Sequence, residues 1–512
     1  MKNYKIDLNN IGFIVILLLI NILAHYLPFE RISLSIDDYS RLSKPYLGLN
    51  NFIYGPSDRP LHFLIVDIQN LFIKDNASLG FAINLIFNSS LIITIWLFLS
   101  NFFKDNLNIF FIILIYVLLI NKVEIYHVPI SSINILAGIL YLLSIHFFIN
   151  GSKKNNILFF TLSIIFYTSG IFLYEIGFFI ILYYFWYLLF NKKKNILYFN
   201  LIIIFIAFFY FIYRSSNSFG LSDIEVSHDF NHKNIINGFV DYFNNYLGRY
   251  TIRIIIYGVY QFFRIDIFWL ILLLILNLFL IFFIYNLKIE DRLKIKQKRT
   301  EYFFVIFFIV FSIAPIINGA SGSRHTIVPN IAVSVFLFYF LLRYYKKIKH
   351  IFLIIIFILL IINQGNAWSQ VISCRINNSI YDYIKKLEFN HIDDYEYIIF
   401  NQGSFSKNIH HSLINNDKIL ETFFGTQSLS EQTVISMLSF NKNIDKAQLS
   451  KKFYSVLDLE FVNKNTINIK TINLENYRNF NYEDITLYSS KILIIDYKKI
   501  FNKGFFNGHR SK

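Results

Sequence analysis

The chain has one cysteine, Cys374, in 512 residues. This scarcity excludes an intrachain disulfide and a cysteine-ligated zinc site. The sequence also lacks the Gly-x-Ser-x-Gly motif of serine hydrolases and a phosphate-binding loop. The pairs His410-His411 and Asp393-Asp394 have no spacing typical of metal ligands, so we predict no metal-binding residues. These absences leave carboxylates as the candidate catalytic groups, acting in acid–base chemistry.

Charged residues are also few, at 16% of the chain, whereas hydrophobic residues make up 55% and the mean hydropathy is +0.48. This composition is typical of a polytopic membrane protein. Lys2 and Lys5 precede the first apolar run, and no small-residue cleavage site follows it, which predicts an uncleaved signal anchor. The net charge of +15 comes mainly from basic clusters between apolar runs, so it does not indicate nucleic-acid binding.

The apolar runs predict about eleven transmembrane helices, and hence an all-α membrane fold. The stretch 157–190 permits another division around Tyr174-Glu175. The predicted spans are 11–29, 79–102, 107–120, 128–149, 157–173, 175–190, 196–213, 266–287, 303–318, 326–342 and 351–363.

The orientation follows from the basic residues, which collect on the cytoplasmic side of membrane proteins. An N-terminus in the cytoplasm puts four loops there, at 151–156, 191–195, 288–301 and 343–350, which hold fifteen Lys or Arg residues. The loop 30–78, the segments 121–127, 214–265 and 321–325, the Tyr174-Glu175 turn and everything after 364 then lie outside. We expect a multi-pass protein of a bacterial inner membrane.

Two external segments have helical patterns. In 59–73 the apolar residues recur at helical spacing, which predicts a helix at the membrane interface or, equally, a short buried helix. Segment 234–264 alternates apolar residues with Asp241, Arg249, Arg253 and Arg264, which predicts one or two interfacial helices.

The tail from 364 to 512 is more polar than residues 1–363, which predicts a soluble α/β domain outside the cytoplasm. Segments 395–403 and 491–499 are predicted to contain buried strands. Segments 378–389 and 430–440 are predicted to be helices.

The external loop 30–78 carries the adjacent acids Asp37 and Asp38. At a membrane surface a carboxylate can deprotonate an acceptor hydroxyl or hold a divalent metal that neutralises a phosphate leaving group. Both uses fit transfer of a sugar from a lipid phosphate. The phosphate needs cationic or hydrogen-bonding partners, for which the candidates are Arg41, Arg59, Arg324 and His325.

These residues carry a resemblance. An acidic pair in the first external loop, the string DRPLHFLIVDIQNLF entering a helix, and a span beginning near NASLGFAINLIFNSS resemble the GT-C superfamily of polyprenyl-phosphate-dependent glycosyltransferases. DDYSRL is similar to O-antigen glucosyltransferases of the Gtr type. FLYEIGFF (172–179) and SGSRHTIVP (321–329) resemble protein O-mannosyltransferase-like members.

The resemblance implies a GT-C-like catalytic domain over residues 1–363 and a hexosyltransferase that uses a polyprenyl-phosphate sugar donor and a glycan or glycolipid acceptor. Asp38 or Asp37 would be the catalytic base, with Asp38 preferred because Arg41 lies three residues on. Arg59 and Arg324 would bind the lipid phosphate. This mechanism requires no cofactor.

Glu175, Glu124 and His127 are further candidates, as residues lining the same cavity. Each candidate also has a simpler interpretation. The acids and Glu124 fit a solvated loop, Arg59 fits an anchor to lipid headgroups, and Arg324-His325 fits an ordinary turn.

Two other classes of function stay open. A glycan polymerase is expected to place arginines in a long late external loop, which 214–265 resembles through Arg214, Arg249, Arg253 and Arg264. A flippase or transporter is expected to show charges inside spans and an internal repeat, and no repeat is visible. A non-catalytic scaffold leaves the acidic pair unexplained.

Overall fold

The computed structural model describes the chain in segments. These segments are 10–27, 60–73, 77–122, 126, 132–191, 194–217, 232–247, 249–287, 297–317, 323–387, 394–401, 431–442, 446–463, 465–476, 479–489 and 491–496. The described residues form two compact units, one ending at Trp368 and the other beginning at Ser369.

The first unit is helical throughout the segments described, as the apolar runs predict. Its helices are α1 (Asn10–His25), α2 (Pro60–Ile73), α3 (Ala77–Leu99), α4 (Asn106–Leu118), α5 (Ser132–Lys154), α6 (Ile157–Leu173), α7 (Ile180–Asn191), α8 (Lys194–Asn217), α9 (His232–Leu247), α10 (Arg249–Phe262), α11 (Ile267–Asn286), α12 (Gln297–Ile317) and the part of the long α13 (Pro329–Lys386) that precedes Ser369. Short 3-10 turns occur at Ile120–Lys122, Glu175–Gly177 and Ser323–Thr326.

Within the described segments, five stretches are long and apolar enough to cross a membrane, namely Ser78–Leu99, Ser132–Lys154, Ile196–Tyr213, Ile267–Asn286 and His350–Ser369. Six shorter apolar helices accompany them. A helix coincides with each of the eleven predicted apolar segments, but the crossing of the bilayer by all eleven stays a prediction.

The helix hairpin α5–α6 shows how local sequence ends these elements. Asn155, between the two helices, has φ of 51°, a left-handed conformation that Asn adopts more readily than most residues. The Asn156 side chain then accepts a hydrogen bond from the Leu158 backbone N–H at 2.9 Å and caps α6. The loop predicted at 151–156 is therefore shorter than expected, because α5 continues to Lys154.

The residues assigned to α13 cover two predicted spans and the basic segment between them. Asn330 bonds to Asn121, while Asn363 bonds to the Leu118 carbonyl only three residues away from Asn121. A straight helix would separate Asn330 and Asn363 by about 50 Å. The rings of Tyr339 and Phe352 lie against Phe103 and Phe111 respectively. The chain therefore reverses between Tyr339 and Phe352, where the basic loop was predicted.

The predicted helix in 59–73 is confirmed as α2. His62, Val66 and Gln69 are its buried residues, and Gln69 Nε2 donates to Ser132 Oγ at 2.7 Å. Ile68, on the apolar side, stays 47% exposed. The face of α2 that carries Gln69 therefore packs on the bundle, and Ile68 lies on the exposed side. That α2 lies at the interface stays a prediction.

Two helices, α9 and α10, occupy the segment predicted to contain one or two. Tyr242 on α9 hydrogen-bonds Ser312 at 2.9 Å, and burial raises the pKa of Tyr242 to about 12. The opposite faces carry exposed apolar side chains, among them Ile236, Phe239, Ile252 and Ile256. This distribution is typical of amphipathic helices that pack on a bundle and face lipid.

The second unit contains a five-stranded mixed sheet with the order β4-β3-β2-β1-β5. Strand β1 (Tyr397–Asn401) lies between β2 (Phe453–Asn463) and β5 (Ile492–Asp496) and is parallel to both. Antiparallel pairing continues from β2 to β3 (Thr466–Asn476) and β4 (Asn479–Tyr488). Ile399, Ile467, Ile469 and Leu487 form its apolar core.

The predicted strands β1 and β5 and the predicted helix α14 (Glu431–Lys442) are confirmed, and α15 (Lys446–Lys452) follows α14. The helix predicted at 378–389 is the C-terminal part of α13. Strands β2, β3 and β4 were not predicted. The location of this unit outside the cytoplasm stays a prediction.

The reversal within α13 predicts two cross-links in a Cys374→Ser background. Phe103→Cys with Tyr339→Cys, and Phe111→Cys with Phe352→Cys, should each react with a short bifunctional thiol reagent, because the native rings are 6.3 and 5.8 Å apart. Proteolytic digestion followed by peptide mapping identifies which residues are cross-linked. The mismatched pair Phe103→Cys with Phe352→Cys is the control, and cross-linking of only the mismatched pair would contradict the reversal.

Candidate functional site

The three 3-10 turns lie at helix ends that the predicted topology assigns to the external face. The turn Ile120–Lys122 packs on the turn Ser323–Thr326, and α12 packs on both Ser323–Thr326 and Glu175–Gly177. We call the three turns and the residues that join them the turn cluster. It contains Glu175 and His325, which are 7% exposed each.

His325 contacts the turn around Glu175 through Tyr174. The Tyr174 hydroxyl lies 3.3 Å from His325 Nδ1, and the two rings stack at 5.8 Å with an angle of 22°. Residues 151 positions apart in the chain are thereby joined. Glu175 and His325, both candidates from the sequence, thus belong to the turn cluster. This agrees with the predicted topology, which assigns both residues to the external face of the membrane.

Tyr141 on α5 fixes the turn that carries Glu175. Its hydroxyl donates to the Tyr174 carbonyl at 2.6 Å, and it interacts electrostatically with Glu175. Its ring fills the space beside Gly170 and Gly177, where an added Cβ would lie 2.7 and 2.6 Å from ring atoms. The two glycines are therefore required by close packing against an aromatic ring.

Asn121, Thr326 and Asn330 form a buried network under His325. The two asparagine amides hydrogen-bond reciprocally at 3.1 and 2.9 Å. Thr326 Oγ1 donates to the Asn121 carbonyl at 3.0 Å, and Asn330 Nδ2 also reaches Thr326 Oγ1 at 3.3 Å. Buried and mutually satisfied polar groups of this kind fix one geometry. The network therefore holds the His325 turn against the Ile120–Lys122 turn.

A second polar group lies at the end of α1, which leads into the loop 30–78. His25 Nε2 donates to the Val117 carbonyl at 2.9 Å, and its ring stacks on Tyr126 at 3.7 Å and 6°. The Tyr26 hydroxyl donates to Asn84 Oδ1 at 2.8 Å and accepts from Asn88 Nδ2 at 2.7 Å. Burial raises the pKa of Tyr126, so its hydroxyl is neutral at physiological pH.

A separate cluster occupies helix ends predicted to be cytoplasmic. Asn101 Nδ2 bonds to His146 Nδ1 at 2.8 Å, Asn150 Nδ2 bonds to His146 Nε2 at 3.1 Å, and Lys153 Nζ donates to the Asn101 carbonyl at 3.3 Å. The helix ends therefore sort into two polar groups, each made of ends that the topology assigns to one side.

The outcome for the predicted site is mixed. Glu175 and His325 lie in the turn cluster, and Arg324 belongs to the same turn as His325. Asp37, Asp38, Arg41, Arg59, Glu124 and His127 lie outside the described residues, so their roles stay predictions. In the part of the chain that the structure describes, no group of three or more His, Cys, Asp or Glu side chains is arranged to hold a metal.

Sequence reasoning missed Tyr174, Tyr141 and the Asn121–Thr326–Asn330 network. The available signal was the position of polar residues at the ends of apolar runs, such as Asn121 after 107–120 and Asn330 just inside 326–342. Buried hydrogen-bond partners that are two hundred residues apart have no local signature.

The fold defines a helical membrane protein with a small sheet near its C-terminus. No family model matches the chain, and no curated protein is significantly similar to it in sequence. The resemblance to the GT-C superfamily therefore rests on the motifs quoted above.

The reciprocal amide pair predicts a specific stability effect. Asn330→Leu should lower the free energy of unfolding by about 1–3 kcal/mol, because it leaves the buried Asn121 amide without a partner. Thermal unfolding of the protein in detergent measures the change. Asn286→Leu is the control, since Asn286 Nδ2 donates only to the Phe282 carbonyl of its own helix among the bonds described. Equal effects of the two substitutions would contradict a structural role of the network.

Proposed function

We propose that the protein is an integral-membrane glycosyltransferase of GT-C type. It transfers a hexose from a polyprenyl-phosphate donor to a surface glycan or glycolipid on the extracytoplasmic face of a bacterial inner membrane. The observation that carries the proposal is the turn cluster, which unites Glu175 and His325 at the end of the bundle where the topology also puts the acidic loop. The N-terminus is cytoplasmic in this proposal.

The chemistry needs a base and a partner for the leaving group. Asp38 or Asp37 removes the proton from the acceptor hydroxyl, and the oxygen attacks the anomeric carbon with inversion. The bond from the anomeric carbon to the phosphate oxygen breaks, and its electron pair leaves with the polyprenyl phosphate. The donor binds with its phosphate near Arg59, Arg41 and Arg324, because bidentate guanidinium groups match phosphate oxygens.

His325 and Glu175 complete this assignment. His325 is a hydrogen-bond donor toward the leaving phosphate, oriented by its contact with Tyr174. A buried carboxylate at the end of a membrane helix is costly and usually faces a functional cavity, so Glu175 is assigned to the acceptor side of the cluster. The second unit helps to bind the acceptor.

The distribution of buried charge favours a transferase over a flippase. Among the side chains whose burial the structure describes, Glu175 is the one buried carboxylate, and it lies at a helix end. The buried polar residue in the middle of α11 is an amide, Asn277, paired with Gln364. A transporter is expected to place charges at such midplane positions.

The proposal can be tested by comparing the surface glycans of three kinds of cell. These cells carry no copy of the protein, the wild-type protein, or the His325→Ala variant, with both proteins at matched membrane abundance. Mass spectrometry of surface glycans should find a hexose-sized increment only with wild type, and His325→Ala should reduce that increment at least tenfold. The double variant Asp37→Asn/Asp38→Asn should abolish it, because the acceptor loses its base.

His146→Ala is the matched control, since His146 belongs to the cluster at the opposite helix ends. It should retain the increment. If no sample differs by a hexose increment while lipid-linked intermediates accumulate without the protein, the result favours a flippase or polymerase. If only the acidic double variant restores the increment, the base assignment is wrong.

A further inference from the structure

Helices α10 and α13 cross with their backbones in contact at two glycines. A Cβ on Gly258 would lie 2.6 Å from the Ile362 carbonyl oxygen, and a Cβ on Gly365 would overlap the Gly258 carbonyl. Only glycine fits at either position without a shift of the backbone. The crossing therefore has no room for a Cβ at either glycine, and the residues beside the glycines define its chemistry.

Three buried amides flank this crossing. Asn366 is 1% exposed, and neither its amide nitrogen nor its oxygen has a hydrogen-bond partner among the described residues. Its Oδ1 would lie 3.1 Å from a Cβ on Gly258. Gln261 Oε1 and Asn363 Oδ1 are likewise buried without a partner in the described part of the chain. Gln261 belongs to the stretch of α10, from Gly258 to Phe262, that contacts Gly365.

Gln364, between Asn363 and Asn366 on α13, behaves differently because Asn277 on α11 satisfies its amide. Gln364 and Asn277 form a reciprocal pair with both bonds at 2.8 Å, and Gln364 Nε2 also reaches the Leu23 carbonyl at 3.3 Å. Burial of a polar group without a partner costs free energy, and most buried polar groups in native proteins are satisfied. The orphaned atoms beside Gly258 and Gly365 are therefore available to a partner other than the described residues.

The amides are next to the turn cluster. Asn363 Nδ2 donates to the Leu118 carbonyl at 3.0 Å, two residues before the turn Ile120–Lys122. The same turn packs on α10 and on the turn that carries His325. A ligand held by Asn363 would therefore lie next to the turn that packs on the His325 turn.

We infer that Gln261, Asn363 and Asn366 bind hydroxyl groups of the transferred hexose. Their orphaned atoms are three carbonyl oxygens and one amide nitrogen, a set that accepts more hydrogen bonds than it donates. Sugar hydroxyls supply the donors, whereas a phosphate would oppose these oxygens with negative charge. The inference rests on the proposed function and assigns the sugar subsite within it.

A stability measurement tests the amides without any ligand. Asn366→Leu should raise the thermal unfolding midpoint of the ligand-free protein, because it replaces an orphaned buried amide by an apolar group of similar size. Asn277→Leu, the matched control, should lower the midpoint because Gln364 loses its partner. A lower midpoint for Asn366→Leu would show that Asn366 already has its partner, and would overturn the inference.

Binding to the full chain in lipid nanodiscs is the second test. The probes are polyprenyl phosphate, polyprenyl-phosphate hexoses and methyl hexosides, each read by the shift in unfolding midpoint. The hexose-bearing donor should stabilise wild type by several degrees more than polyprenyl phosphate does. Asn366→Leu and Gln261→Leu should lose that difference and keep the response to polyprenyl phosphate, while Asn150→Leu, at the opposite helix ends, should behave as wild type.

The outcomes separate the two proposals. If Asn366→Leu and Gln261→Leu keep the full sugar-dependent difference, the orphaned amides hold only water and the inference is wrong while the transferase proposal stands. If neither lipid probe stabilises wild type, the proposed function fails. The methyl hexosides then decide the subsite: stabilisation of wild type that is lost in Asn366→Leu supports it, and no stabilisation overturns it.

Discussion

Amide hydrogen bonds between helices are the interaction on which this bundle depends. Inside a bilayer, helices gain little from the hydrophobic effect on meeting one another, so packing and interhelical hydrogen bonds hold them together. The pairs Asn121–Asn330 and Asn277–Gln364 tie the two arms of α13 to different parts of the bundle. The first pair fixes the turn that carries His325, and the second fixes α13 beside the orphaned amides. The geometry of both candidate regions follows from these bonds.

The same constraint gives the two ends of the bundle different characters. At the ends assigned to the outside, polar residues join turns from distant parts of the chain, as in the Tyr174–His325 contact. At the other end, His146 joins adjacent helices near basic residues such as Lys153. The first arrangement suits a site that must assemble groups from several loops, whereas the second suits a stable surface next to anionic headgroups.

The sequence predicted the helices well, because a run of apolar residues is long and its signal accumulates over many positions. It also predicted the break at Tyr174 and the reversal between Tyr339 and Phe352, where polar residues interrupt apolar runs. It missed β2 to β4, although Ile467 and Ile469 alternate with polar residues in the period typical of a strand. The apolar face of α2 was identified, but its packing through His62 and Gln69 depends on partners elsewhere in the bundle.

The site was predicted in part for a related reason. Glu175 and His325 were identifiable because charged or titratable residues are few next to apolar runs. Tyr141, Asn330 and Asn366 were not, because their environment is created by distant residues: a glycine face for Tyr141, the Asn121 amide for Asn330, and the Gly258–Gly365 crossing for Asn366. Only the folded chain brings these groups together.

The most direct test of the transferase account is a reconstituted reaction. Purified full-length protein in liposomes receives a synthetic polyprenyl-phosphate hexose with a radiolabelled sugar and a mixture of envelope glycolipids as acceptors. The account predicts that the label moves to an acceptor with inversion at the anomeric carbon while free polyprenyl phosphate accumulates. Movement of intact donor between leaflets, with the label still on the polyprenyl phosphate, would contradict it.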